Sequence, residues 1–335
     1  MEFEFFIGID VSKNELDFAV QQGGDLLFHR EVVNEPKAII AFIKELGTLQ
    51  GFKLYNTVFC MEHTGIYNNH LLSCLHKNKA SICLEAASQI KNSLGNIRGK
   101  NDKIDAIRIA RYAYKERETV RLWQPKRETV QQLAHLAATR LRLINVKKQL
   151  KVPLREQAAF GTKKAGRQSL QICSHSIKAI EADITRADKA IGQLIAEDEE
   201  LTRIFKLVTS VSGVGKVTAV QIIITTNEFK DIHDPKKFAC YAGVAPFTDD
   251  SGKVIKKAKV SHMANKKMKT LLHLSAIVAI QHNPDLKLFY QRKVIQEKKN
   301  KMSVINAVRN KLILRIFACV NQNRTYEKNY HKLLA

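Results

Sequence analysis

Four carboxylates and one serine carry the chemical interest of this chain. Phe5-Phe6-Ile7-Gly8-Ile9-Asp10-Val11 is an apolar run that suits a buried strand, and it delivers a carboxylate at its end. An ionised Asp inside such a run needs a compensating partner such as a metal ion, unless it merely caps the turn Asp10-Val11-Ser12-Lys13-Asn14. Leu54–Met61 is a second apolar strand, again ending in an acid, Glu62. Asp102 and Asp105 stand three apart at the start of a basic helix spanning 101–117, so they share one face. First-turn capping alone would explain that pair, because the helix dipole favours negative charge there. Taken together, four acids converging without cationic partners would repel one another, and the arrangement makes sense as a metal site. A set of four hard oxygen ligands favours Mg²⁺, with Mn²⁺ as the alternative. Ser251 lies in Asp249-Asp250-Ser251-Gly252, a turn by composition. It is also exposed beside a strong positive field, since residues 251–270 carry seven lysines and no acid.

The elements that must position these groups alternate in type. Leu16–Gln21 and Leu26–Val32 read as strands joined at Gly23-Gly24, and Pro36 opens a helix through Ile39, Ile43 and Leu46. A helix at Asn69–Lys77, a strand at Ala80–Leu84 and a helix from Ala86 follow the Glu62 strand. Three meandering strands, then helix, strand, helix, strand, helix describe a mixed α/β sheet of the ribonuclease H type. From Glu128 to Leu201 the chain reads as long helix. Ile177, Ile180, Ile184, Ala187, Ile191 and Leu194 form a heptad seam, either a helical hairpin or an intermolecular coiled coil. Pro153, Gly161 and Gly166 are expected to break that seam from its upstream partner. The boundaries expected are 1–125 for the metal-binding domain, 126–204 for the helical assembly segment, and 205–335 for a mainly α C-terminal domain.

Charge separates these parts. Residues 1–95 hold 8 basic and 11 acidic side chains, whereas residues 96–335 hold 47 and 21. Such an excess is more than solubility requires and points to nucleic acid. Gly213 and Gly215, in a Gly-x-Gly turn followed by Lys216, are similar to a helix-hairpin-helix, whose backbone amides bind DNA phosphate. A tight turn packing two helices is the other reading. Lys253, Lys256, Lys257, Lys259, Lys266 and Lys267 extend the basic surface, as do Arg309, Lys311 and Arg315 on the outer faces of helices at 268–282 and 302–320. The six cysteines are scattered, without zinc or disulfide spacing, which fits a cytoplasmic protein. No stretch reaches the ~18 apolar residues of a membrane span, and the eight-residue phosphate loop of ATP-binding enzymes is missing.

Three blocks resemble the DEDD transposases of bacterial insertion sequences, a family that includes Piv-type DNA invertases: Ile-Gly-Ile-Asp-Val-Ser-Lys (7–13), Glu-His-Thr-Gly-Ile-Tyr (62–67) and Lys-Asn-Asp-Lys-Ile-Asp-Ala (100–106). Gly-Val-Gly-Lys-Val-Thr-Ala (213–219), Tyr-Ala-Gly-Val-Ala-Pro (241–246) and Ser251-Gly252 extend the likeness to the second half. The resemblance implies a RuvC-like domain in which Asp10, Glu62, Asp102 and Asp105 bind Mg²⁺. It implies that Ser251 is the nucleophile of DNA cleavage and rejoining through a phosphoserine, and that a structured guide RNA pairs with donor and target DNA. A homo-oligomer, dimer or tetramer, is the expected assembly. The competing readings are a RuvC-like nuclease that uses water, and a non-catalytic nucleic-acid-binding protein.

Overall fold

In the computed structural model, residues 3–95, 101–247, 259–261 and 264–327 are described. Two compact units divide the chain, Met1–Pro125 and Lys126–Ala335.

The first unit is built on five strands: β1 (Phe5–Val11), β2 (Glu15–Gln22), β3 (Asp25–Val33), β4 (Thr57–Glu62) and β5 (Ser81–Glu85). Their spatial order is β3-β2-β1-β4-β5, with β1, β2 and β3 antiparallel in turn and β4 and β5 parallel to β1. β1 and β4 are buried along nearly their whole length, which is why both read as continuous apolar runs rather than alternating ones. Helices α1 (Pro36–Leu46) and α2 (Asn69–Lys77) cover one face, packing Ile39, Phe42, Leu71 and Leu75 against Ile7, Ile9 and Phe59. Helices α3 (Ala87–Leu94) and α4 (Asp102–Lys115) cover the other, where Ile90, Ile109 and Tyr112 meet Phe6, Val58 and Cys83. This three-layer arrangement is consistent with a RuvC-like fold. The strand ending at Glu62 starts later than expected, because Leu54–Asn56 forms a 3₁₀ turn before it.

The second unit opens with α5 (Glu128–Phe160) and α6 (Lys163–Ala196), which pack as an antiparallel hairpin within the chain. Lys151 Nζ lies 2.6 Å from Glu181 and Arg140 pairs with Asp188, so the ion pairs run in opposite sequence directions along the two helices. Pro153 does not break α5, and Gly166 lies inside α6; only Gly161 falls in the connection. A proline removes one helical hydrogen bond and crowds the preceding turn. A 33-residue helix held along its length by a partner absorbs that loss.

Helices α7 (Glu199–Thr209), α8 (Lys216–Thr226), α9 (Pro235–Tyr241), α10 (Lys266–His282), α11 (Pro284–Gln291) and α12 (Lys301–Asn321) surround one core, in which the rings of Phe229, Phe238 and Phe317 pack at 4.9 and 5.3 Å. At the base of α5, Arg127 donates to Asp198 at 2.9 and 3.0 Å and to Glu228, whose side chain is fully buried. A two-stranded ribbon, β6 (Pro246–Phe247) and β7 (Lys259–Val260), precedes α10. Among the described residues, no helix is long and apolar enough to cross a membrane.

Candidate functional site

β1 and β4 lie side by side and parallel, with Ile9 opposite Met61, so Asp10 and Glu62 leave the sheet at the same edge. Strand alternation puts Phe6, Gly8 and Asp10 on the face covered by α4, together with Val58, Cys60 and Glu62. α4 approaches that face at backbone distance. A methyl group on Gly8 would sit 2.1 Å from both the carbonyl oxygen of Ala106 and the amide nitrogen of Ala110. The first turn of α4 is set by Asn101, whose side chain accepts from the Lys103 amide at 2.9 Å, and it carries Asp102 and Asp105.

Two buried asparagines hold the strand ends. Asn34 donates to the carbonyl of Ser12, two residues past Asp10, at 3.0 Å, and to the carbonyl of Tyr67 at 3.1 Å. Asn68 donates to the carbonyl of Glu62 at 2.9 Å and accepts from the amide and hydroxyl of Thr64. The two turns after the two acids are thereby tied to one another.

The four acids are also linked electrostatically. Asp10 is pushed up to about 6, first by burial and then by the charges of Asp102, Asp105, Glu62 and Asp17. One expectation is corrected: the set is not free of cations, because Arg108 Nη1 reaches Asp105 Oδ1 at 2.7 Å, one turn along α4. Among the described residues no three His, Cys, Asp or Glu side chains close around one point at metal-holding distance. The donor chemistry nevertheless fits a hard divalent cation, since it is all carboxylate oxygen and Asp10 is strained by like charge.

The sequence reading missed two acids. Asp17 is directly opposite Asp10 across β1 and β2, is 8% exposed, and holds His29 Nε2 at 2.7 Å. Glu85 is opposite Glu62 across β4 and β5. The signal that singled out Asp10 and Glu62, an acid at the end of an apolar strand, applies equally to Glu85.

In the second unit, Gly213 has φ +92° and lies against α10, where a methyl group would meet the Ser275 carbonyl at 2.5 Å. Gly215 has open space around it and precedes Lys216, which is exposed at the start of α8. Lys266 and Lys267 are exposed in the first turn of α10, where the helix dipole disfavours cations. Lys259 belongs to β7. Ser251, Lys253, Lys256 and Lys257 lie outside the described residues, between β6 and β7. Arg309 is not on an outer face: it is 5% exposed, and one of its guanidinium nitrogens contacts His273 Nδ1 of α10. Lys311 is exposed on α12, and Arg315 is half-buried.

The comparisons with known proteins bear on both units. Residues 7–158 match the DEDD transposase family of IS110 type, and residues 205–291 match the family described as transposase IS116/IS110/IS902. The chain is 30% identical to the pilin gene-inverting proteins of Moraxella bovis and Moraxella lacunata, over 98% of its own length and 99% of theirs. It belongs to the IS110 transposase family. A shorter similarity, 26% identity over 36% of this chain and 30% of its relative, links it to the uncharacterised 43.6 kDa protein of insertion element IS110 in Streptomyces coelicolor. IS110-family membership makes DNA recombination the general activity of this chain. The first family match contains all four acids, and the second contains Ser251.

Proposed function

We propose that this chain cuts and rejoins DNA through a covalent ester on Ser251, with Asp10, Glu62, Asp102 and Asp105 holding Mg²⁺ or Mn²⁺, and with a structured RNA choosing the sites. The observation that carries the reading is the parallel register of β1 and β4, which brings Asp10 and Glu62 to one end of the sheet on the face covered by α4, whose first turn carries Asp102 and Asp105. Burial first, and then the charges of those acids, raise the proton affinity of Asp10. The full-length similarity to proteins named for inverting a pilin gene supports the DNA substrate.

In this reading the Ser251 Oγ–H bond breaks and an Oγ–P bond forms as the P–O3′ bond of the DNA strand breaks. The proton passes by way of a base to the departing 3′ oxygen. A 3′ hydroxyl of a different strand then attacks the phosphoserine, forming a new phosphodiester and returning the proton to Ser251. The bond count is unchanged, so no ATP is required. A bound divalent cation would neutralise charge on the phosphoryl oxygens and favour the ionised attacking oxygen. Asp10 and Glu62 hold their place through the sheet, and Asn34 and Asn68 fix the turns beyond them. The four acids belong to the first unit, and Ser251 falls in the sequence of the second.

The test is strand exchange between two DNA duplexes carrying the element's junctions, with the protein and its co-purifying RNA in Mg²⁺. Exchange is expected, and RNase is expected to abolish it. Exchange that survives RNase removes the guide RNA from the proposal; hydrolysed strands with no exchange remove the recombinase.

A further inference from the structure

The face made by α11, the turn after it and α12 has no part in the proposed chemistry, yet it is built around an open cavity of about 830 Å³. Residues Arg292–Gln296 form a π-helical turn, an irregularity that often marks a functional surface. The floor is apolar and open: Leu288 is 65% and Ile295 69% exposed. Around it stand Arg292, Lys311 and Arg315, against one lining acid, Asp285. Arg292 and Lys311 lie 5.9 and 4.8 Å from the centre of the Phe289 ring. Arg292 is only loosely engaged by Glu297, at 3.9 Å, while Glu297 is held more closely by Lys293 and Lys299. Arg315 lies against Tyr326, and among the described residues its buried Nη1 has no hydrogen-bond partner.

We propose that this groove binds an unpaired nucleotide stretch of single-stranded nucleic acid. Three cations rimming the groove against one acid favour an anionic ligand. Exposed Leu and Ile beside cations match a ligand that offers a flat apolar face and a phosphate together. An unpaired nucleotide does this, whereas a duplex keeps its bases stacked inside and presents only phosphate. The inference rests on the chain handling nucleic acid, and it adds that part of that nucleic acid is unpaired. Guide RNA and a displaced DNA strand are both sources of that chemistry.

The test is fluorescence anisotropy of the full-length protein, stripped of nucleic acid, with labelled twelve-residue oligouridylate, oligothymidylate and a duplex of the same length. The double variant Arg292→Gln/Lys311→Gln is expected to weaken both single strands at least tenfold. It is also expected to flatten the salt dependence of log K by about 1.4, the share of two phosphate contacts. Leu288→Ser, at an exposed position that leaves the fold intact, is expected to weaken single strands about fivefold and the duplex less than twofold. Preference for oligouridylate identifies RNA as the source, and preference for oligothymidylate DNA. Parallel loss of single-strand and duplex binding, unchanged single-strand binding, or displacement of the oligonucleotide by anionic phospholipid vesicles would overturn the proposal. Strand transfer is not read in this assay, so failure of the serine mechanism would leave the outcome unaffected.

Discussion

Gly8 of β1 and Ala106 of α4 touch backbone to backbone: a single methyl on Gly8 would sit 2.1 Å from the Ala106 carbonyl oxygen. That contact brings Asp102 and Asp105 over the strand that carries Asp10. The glycine is required by the closeness of the helix rather than by its backbone angles, since Gly8 is an ordinary strand residue. Gly8→Ala therefore forces α4 outward. We expect a loss of about 3 kcal/mol in denaturant unfolding, at the upper end for overpacking, and strand exchange below a tenth of wild type. Wild-type activity in Gly8→Ala would show that α4 does not set the site.

Asp10 titrates at about 6 in the folded protein against 3.8 for an unperturbed Asp. Raised affinity in the folded state means that folding takes up a proton between these values, so the ion-free protein loses stability as pH rises from about 4 to about 6. Above 6 the penalty is complete, about 1–2 kcal/mol once solvent screening of a partly exposed group is allowed for. Asp10→Asn removes it. Differential scanning fluorimetry in EDTA should show Asp10→Asn melting several degrees above wild type at pH 7.5 and equal to it near pH 4. Adding Mn²⁺ should raise the wild-type midpoint more at pH 7.5 than at pH 5, and should leave Asp10→Asn unmoved. A variant that melts below wild type at pH 7.5 would contradict the electrostatic account of the site.

Asn34 ties the turn beyond Asp10 to the turn beyond Glu62 through two donated hydrogen bonds. Asn34→Asp keeps the size but replaces the donating amide with oxygen, which repels both carbonyls. The expected cost is about 2 kcal/mol, with strand exchange falling further than stability alone explains. Activity measured well below the melting temperature separates these effects: full activity there would reduce Asn34 to a structural role.

Much of this was legible in the chain itself. Asp10 and Glu62 stood out because a carboxylate at the end of an apolar run violates the pattern around it, and Asp102 and Asp105, three apart, marked the start of α4. Asp17 did not stand out, because its relation to Asp10 is across strands and depends on register, whereas Glu85 carried the same strand-end signal as Glu62. Arg309 was misplaced for a similar reason. A cation on an amphipathic helix is expected in water, but α10 and α12 meet at its position, and His273 accepts from it there. Pro153 suggested a break that the partner helix makes unnecessary. Gly213 has a packing reason to be glycine besides the motif: a methyl group there would meet the Ser275 carbonyl of α10 at 2.5 Å.

The covalent ester is the central claim, and trapping it is the most direct measurement. The protein, its co-purifying RNA and Mg²⁺ would be incubated with DNA labelled at the phosphate that is cut, then denatured, digested and mapped by mass spectrometry. The account predicts label on the peptide containing Ser251, lost in Ser251→Ala and in Asp10→Asn. Label on another residue, or cleaved DNA from Ser251→Ala with no adduct, would contradict it.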